Sequence, residues 1–256
     1  MALCEVHYFS NSLLKMAAAN VIVPEGLKGP FPVMYLLHGL SDDYSAWERR
    51  TSIERYVAEW PLIVVMPDGG RGFYCDSVEN PRGAYESAIV KDLIGFVDNT
   101  FPTIAKREGR VIAGLSMGGY GAMKLAVKFP DLFGACVSHS GAVTFGHYAL
   151  SRDDDWDKEF RLIVGDEPMG GENDIFALLE KAKAAPLPAI RIDCGVDDFL
   201  IERNREMHGF LEGLGIPHEY AEYPGAHNWD YWDEHVQDAI AFFAGAIGMK
   251  KREQKG

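Results

Sequence analysis

A serine ringed by glycines, a pair of aspartates and a histidine are the residues of this chain best suited to move an acyl group. Ser116 stands in Gly114-Leu115-Ser116-Met117-Gly118-Gly119-Tyr120-Gly121, directly after the apolar run Val111-Ile112-Ala113. A serine on a sharp turn between a strand and a helix needs neighbours without Cβ atoms, and Gly114 and Gly118 provide them two residues to either side. The pattern reads as a nucleophile elbow. Asp197 and Asp198 follow the run Ala189 to Cys194, and His227 lies in Pro224-Gly225-Ala226-His227-Asn228-Trp229. A hydroxyl is a poor nucleophile until a base takes its proton, and an imidazole can take it near neutral pH and return it to a leaving group. An acid behind the histidine fixes its tautomer and stabilises the imidazolium. Serine, then aspartate, then histidine is the chain order of one such triad. On the residues alone, one of Asp197 and Asp198 is the acid and the other a helix cap.

Attack on an ester creates an oxyanion, which needs backbone N–H donors. Met117 N–H, immediately after the serine, is one candidate, and Leu40 N–H, following His38-Gly39, is the other. Trp47, Phe145 and Trp229 are candidates to line an acyl or alcohol pocket, with plain packing as the competing role for each.

Holding these groups together requires elements whose ends meet. Phe31 to Leu37, Leu62 to Met66, Arg110 to Leu115 and Phe133 to Ser138 are short apolar runs of the kind that form strands buried on both faces. Ala189 to Cys194 and His218 to Tyr223 continue the series, and Glu5 to Phe9 with Ala17 to Val23 read as a leading hairpin. Helical spacing appears from Ile53 to Trp60, Ala84 to Phe101, Ala122 to Val127, Phe199 to Leu214 and across Val236 to Ile247. Residues 69–83 read as a long irregular loop, and 142–185 as a less regular insertion over the carboxyl edge of the sheet. Strand followed by helix, repeated, predicts an α/β fold with a mostly parallel sheet and helices on both faces, in one domain over 1–256. In such a sheet reactive groups gather at the carboxyl ends of the strands, where Leu40, Ser116, the pair Asp197 and Asp198, and His227 all fall.

Composition narrows the partner. Lys and Arg number 25 against 38 Asp and Glu, a formal net charge of −13 that disfavours a nucleic-acid backbone or an anionic membrane. The basic tail Lys250 to Gly256 reads as a frayed terminus. Cys4, Cys75, Cys136 and Cys194 show no C-x-x-C spacing and read as reduced thiols, and no signal or membrane span is visible, so a cytoplasmic setting is expected. No P-loop lysine motif, intact dinucleotide fingerprint or H-E-x-x-H appears, so neither cofactor nor metal is expected. Asp153, Asp155 and Asp157 match the first three ligand positions of an EF-hand, but Lys158 replaces its glycine and Val164 its bidentate glutamate, which rejects that motif. A small-molecule ester is the expected partner, and homo-oligomerisation is left open.

Taken with Tyr35-Leu36-Leu37-His38-Gly39-Leu40 and Cys194-Gly195-Val196-Asp197-Asp198-Phe199-Leu200, the elbow and the His227 segment resemble the esterase D-like branch of the α/β-hydrolases over nearly the whole chain. That branch includes tributyrin esterase, to which the likeness is greatest, S-formylglutathione hydrolase, and feruloyl and acetyl esterases. The resemblance implies an α/β-hydrolase fold with 142–185 as a cap-like insertion, and a serine carboxylesterase acting on short-chain acyl esters through an acyl-enzyme. It also implies Asp198 as the acid of the triad, with Asp197 the fallback. S-formylglutathione hydrolases share Gly72-Phe73-Tyr74-Cys75-Asp76 but usually differ before the oxyanion glycine, where this chain has His38. A thioester, acetyl or feruloyl substrate is therefore the alternative within the same mechanism, and a non-catalytic binding module is the alternative from another class.

Overall fold

Strict alternation along the strands builds two cores from one sheet. Val33, Tyr35 and Leu37 face one side while Met34 and Leu36 face the other, and Ile63 and Val65 are likewise divided from Val64 and Met66. The computed structural model describes residues 1–151, 154–182 and 186–252. Among them, strands β1 (Ala2–Ser10), β2 (Lys15–Val23), β3 (Val33–Leu37), β4 (Ile63–Pro67), β5 (Arg110–Leu115), β6 (Ala135–His139), β7 (Ala189–Gly195) and β8 (Glu219–Tyr223) form one sheet. Their order is β1-β2-β4-β3-β5-β6-β7-β8. The leading hairpin β1–β2 is antiparallel, β2 joins β4 antiparallel, and every later pairing is parallel.

Helices cover both faces. After the short α3 (Tyr85–Ser87), the first core receives Ile89 and Leu93, then α4 (Ile94–Thr100), α5 (Met117–Lys128), α6 (Asp155–Val164), α7 (Ile175–Lys181) and α8 (Ile201–Gly213). The second is closed by α1 (Ala46–Arg50), α2 (Ile53–Val57) and α9 (Trp229–Ile247).

Three stretches differ from expectation. The helix expected across Ile53 to Trp60 ends at Val57 as α2, and a separate α1 precedes it, divided from it at Thr51-Ser52. There Thr51 Oγ1 donates to Trp47 O at 2.6 Å and accepts Ile53 N–H at 3.2 Å, so a side chain replaces the backbone ladder. Between α3 and α4, residues Ala88–Leu93 widen into a π-helical turn. Within 142–185 the chain forms α6 and α7. Asp154 starts α6 by accepting Trp156 and Asp157 N–H, and Asp174 starts α7 by accepting Phe176 and Ala177 N–H. The acidic cluster thus contains a helix cap, while Asp153 itself and the end of the basic tail, 253–256, lie outside the described residues.

Register decides what meets at the carboxyl edge. Leu37 lies opposite Gly114, Leu115 opposite His139, and Gly195 opposite Tyr223. The chain therefore leaves β3 beside the serine, and leaves β7 beside the segment that leads to His227.

Candidate active site

Ser116 occupies the turn between β5 and α5 with φ 53° and ψ −114°, a conformation costly for a residue with a side chain. Its N–H donates to His139 O at 2.9 Å, and its carbonyl accepts Tyr120 N–H and Ala142 N–H, both at 3.0 Å. Packing leaves no room for larger neighbours. A Cβ on Gly114 would meet the Gly118 backbone at 2.4 Å, and one on Gly118 would meet Leu37 O at 2.4 Å.

His227 and Asp198 are held by two crossing loops. Val196 N–H donates to Tyr223 O and Asp197 N–H to Gly225 O, each at 2.9 Å, which ties the turn after β7 to the turn after β8. Asp198, only 2% exposed, places Oδ2 at 2.8 Å from His227 Nδ1, and its Oδ1 accepts Leu200 N–H at 2.8 Å. Burial pushes the Asp198 carboxyl up, but the hydrogen bonds from His227 and Leu200 outweigh it and hold it below its ordinary value. The side chain of Asp197 is exposed, so of the acidic pair the structure brings Asp198 to the histidine. The imidazole lies edge-on to Trp232 at 4.9 Å and against Phe199 at 4.5 Å. No hydrogen bond closes between Ser116 Oγ and His227 among the described residues.

Leu40, Ser116 and Met117 all line a cavity of about 320 Å³. Met117 N–H is the first of α5, where donors have no partner within the helix. Behind Leu40, the buried His38 accepts Gly69 N–H on Nε2 at 2.8 Å, which places its proton on Nδ1, 2.7 Å from Gly39 O. Two loops are thereby fixed to the base of the turn.

The cavity wall includes Phe73, Phe145, Phe160 and Tyr148, together with Phe199 and Leu200. Phe145 was expected there; Trp47 and Trp229 lie outside the lining. Trp47 is buried, donates Nε1–H to Leu37 O at 3.0 Å and packs edge-on against Trp229 at 5.3 Å. A larger cleft of about 620 Å³, bounded by Leu187, Ile216 and His218, opens beyond the amino end of β7 and contains none of these groups.

Sequence reasoning missed Phe73, Phe160, Tyr148 and Phe199. The signal for Phe199 was a phenylalanine in a turn directly after the acidic pair; Phe73 and Tyr148 come from loops whose paths no periodicity encodes, and Phe160 from the short helix α6. It also missed Lys124. This fully buried residue of α5 donates to Tyr74 O at 2.7 Å and Glu86 Oε2 at 2.8 Å, with Asn173 Oδ1 at 3.4 Å. Lys124 so links the serine's helix to the loop bearing Phe73, whose own φ is 49° and whose neighbour Tyr74 has φ 51°. Among the described residues no group of three or more His, Cys, Asp and Glu side chains converges as a metal site would.

The family model described as "Putative esterase" matches residues 10–243. The chain belongs to this esterase family. An acetyl esterase of Caldicellulosiruptor saccharolyticus is 30% identical to the esterase described here, over 95% of this chain and 98% of its own. Among solved structures, the fluorophosphonate-binding serine hydrolase FphF of Staphylococcus aureus has a TM-score of 0.86 at 31% identity, covering 94% of this chain and 98% of that one. The S-formylglutathione hydrolase FrmB of the same organism has a TM-score of 0.83 at 31% identity with the same coverage. The fold of the esterase is the α/β-hydrolase fold.

Proposed function

We propose that the esterase hydrolyses short-chain acyl esters, with Ser116 as nucleophile, His227 as general base and Asp198 as the acid behind it. The observation that carries this reading is the 2.8 Å pairing of His227 with Asp198 on the edge where Ser116 is held in its strained turn. His227 takes the Ser116 proton as Oγ attacks the ester carbonyl, and Met117 and Leu40 N–H groups receive the oxyanion. The imidazolium then protonates the departing alcohol, leaving an acyl-enzyme. Water, deprotonated by His227, attacks the acyl carbonyl and releases the acid with Ser116 restored. Hydrogen bonds between nucleophile and base are commonly long without substrate and tighten once it binds, in keeping with the open Ser116–His227 pair here.

Short acyl groups fit a cavity of about 320 Å³ walled by Phe73, Phe145 and Phe160, and the relative named an acetyl esterase points the same way. Likeness to FrmB supports S-formylglutathione as the second reading. Within this proposal the enzyme is of the tributyrin esterase kind and works in the cytoplasm on a small molecule. Its four free cysteines suit a reducing compartment, and among the described residues no helix is long and apolar enough to cross a membrane.

Phosphonate labelling followed by peptide mapping tests the chemistry. The label is expected on Ser116, and Ser116→Ala is expected to lower kcat for p-nitrophenyl acetate on the order of a millionfold. An intact protein left unlabelled and inactive would make it a binding module instead. Activity rising steadily toward long acyl chains would refute the short-chain assignment, and S-formylglutathione turned over faster than any oxygen ester would favour the second reading.

A further inference from the structure

The two halves of an ester need different surroundings, and the cavity offers two. One part of its lining is a packed aromatic group in which Phe73 stacks on Phe145 at 3.9 Å, while Phe160 stands edge-on to them at 5.0 and 5.2 Å. Phe199 also lines the cavity, pairing with His227 rather than with that group, and is 75% exposed, more than any other large hydrophobic side chain among the described residues. Exposure by itself means little, because single apolar residues are common on surfaces. Its position carries more. Asp198 accepts Leu200 N–H through Oδ1 while Oδ2 faces His227, so the carboxylate that holds the imidazole also shapes the turn that presents Phe199. The phenyl ring consequently rests 4.5 Å from the imidazole, tilted by 50°.

A base that has taken the serine proton delivers it to the leaving oxygen, so the leaving alcohol must lie on the imidazole side of the reacting carbonyl and the acyl chain away from it. We infer that Phe199 is the platform for the leaving alcohol, selecting alcohols with a broad, flat apolar face, either an aryl ring or the apolar face of a sugar, over small alkyl alcohols. This rests on the assignment of Ser116 and His227 proposed above.

The test uses esters that share one acyl group: phenyl acetate, an acetylated glucoside, and the compact ethyl and trifluoroethyl acetates. All pass through the same acetyl-enzyme, so differences in kcat/KM report the alcohol side. Phe199→Ala is expected to lower the preference for ring alcohols over compact ones roughly tenfold, the scale of a lost aromatic contact, and Phe199→Trp to restore it. Whichever ring substrate loses more, the phenyl or the glucosyl ester, identifies the ring the platform serves. A preference unchanged within about twofold would overturn the inference. So would an equal loss on every ester with a displaced pH profile, because Phe199 would then only be setting the position of His227. Phosphonate titration of the same samples separates the failures. If wild-type Ser116 takes no label, the triad assignment falls; if Phe199→Ala is labelled normally but its preference is unchanged, only the platform falls.

Discussion

Gly118→Ala adds one methyl group at a place in the candidate active site where the backbone leaves it no room. Its Cβ would lie 2.4 Å from Leu37 O and 2.7 Å from His38 O, against an ordinary contact distance of 3.4 Å or more. Both obstacles are backbone at the end of β3, so relief requires about 1 Å of movement by the start of α5 or by the turn carrying Leu40. Either movement separates Ser116 and the Met117 N–H from the Leu40 N–H. A misplacement of about 1 Å costs on the order of a hundredfold in rate, or about 2.7 kcal/mol of transition-state stabilisation. Overpacking of this kind is expected to cost a further ~1–3 kcal/mol of folding stability. Gly209→Ala is the control, since its added Cβ meets nothing within 4 Å in the interior of α8, and it is expected to stabilise by about 0.5–1 kcal/mol. The assay is kcat/KM for p-nitrophenyl acetate together with the rate of phosphonate labelling and the Tm of each variant. A Gly118→Ala enzyme with kcat/KM within about threefold of wild type and an unchanged Tm would refute the reasoning, because the elbow would then tolerate the displacement it is argued to forbid.

Asp198→Asn should lower kcat by about 10³–10⁴-fold, while the exposed Asp197→Asn should change it little; equal effects would remove Asp198 from its proposed role. Because the folded Asp198 carboxyl is held below its ordinary value, its contribution to stability is complete above the unfolded carboxylate pKa of about 3.9 and disappears as pH falls through the lower folded value. The Tm difference between wild type and Asp198→Asn should thus be constant near neutrality and narrow below about pH 4, and a difference that widens toward acid would contradict this sign. Lys124→Ala should destabilise toward the lower end of roughly 3–5 kcal/mol, because Glu86 keeps Lys128 at 2.8 Å as a second partner. Adding Glu86→Leu to Lys124→Met should recover much of that loss in denaturant melts, and a double variant as unstable as Lys124→Ala would show that the ion pair was not the cause.

The sheet was legible because its central strands are buried on both faces: Val33 to Leu37 and Ile63 to Met66 had to be written in apolar residues whatever the protein does. Ser116, Asp198 and His227 were legible because they sit at strand ends, where the surrounding glycines and the chain order narrow the choice. Between Asp197 and Asp198 the resemblance pointed to Asp198, and the turn supplies the physical reason, since Asp198 is buried against His227 while Asp197 is exposed. The cavity wall was the least legible part. Phe73 arrives on a loop with left-handed backbone at two successive non-glycine residues, and Phe160 on a helix started by one aspartate among several. Trp47, a plausible pocket residue by type, is instead consumed by a hydrogen bond to Leu37 O and by contact with Trp229. Which face of an aromatic residue meets solvent is a property of long-range packing, and no local pattern records it.

The stretch from Thr144 to Phe160 supplies Phe145, Tyr148, Leu150 and Phe160 to the cavity, yet it contains none of Leu40, Ser116, Asp198 or His227. On the proposed roles this part of the wall lies on a separate length of the chain from the reacting groups, whereas Phe199, directly after Asp198, does not. One contiguous stretch between the neighbouring strands β6 and β7 thus carries four residues of the wall and none of the proposed reacting groups, so varying it as a block is expected to change acyl preference before it changes the reacting groups.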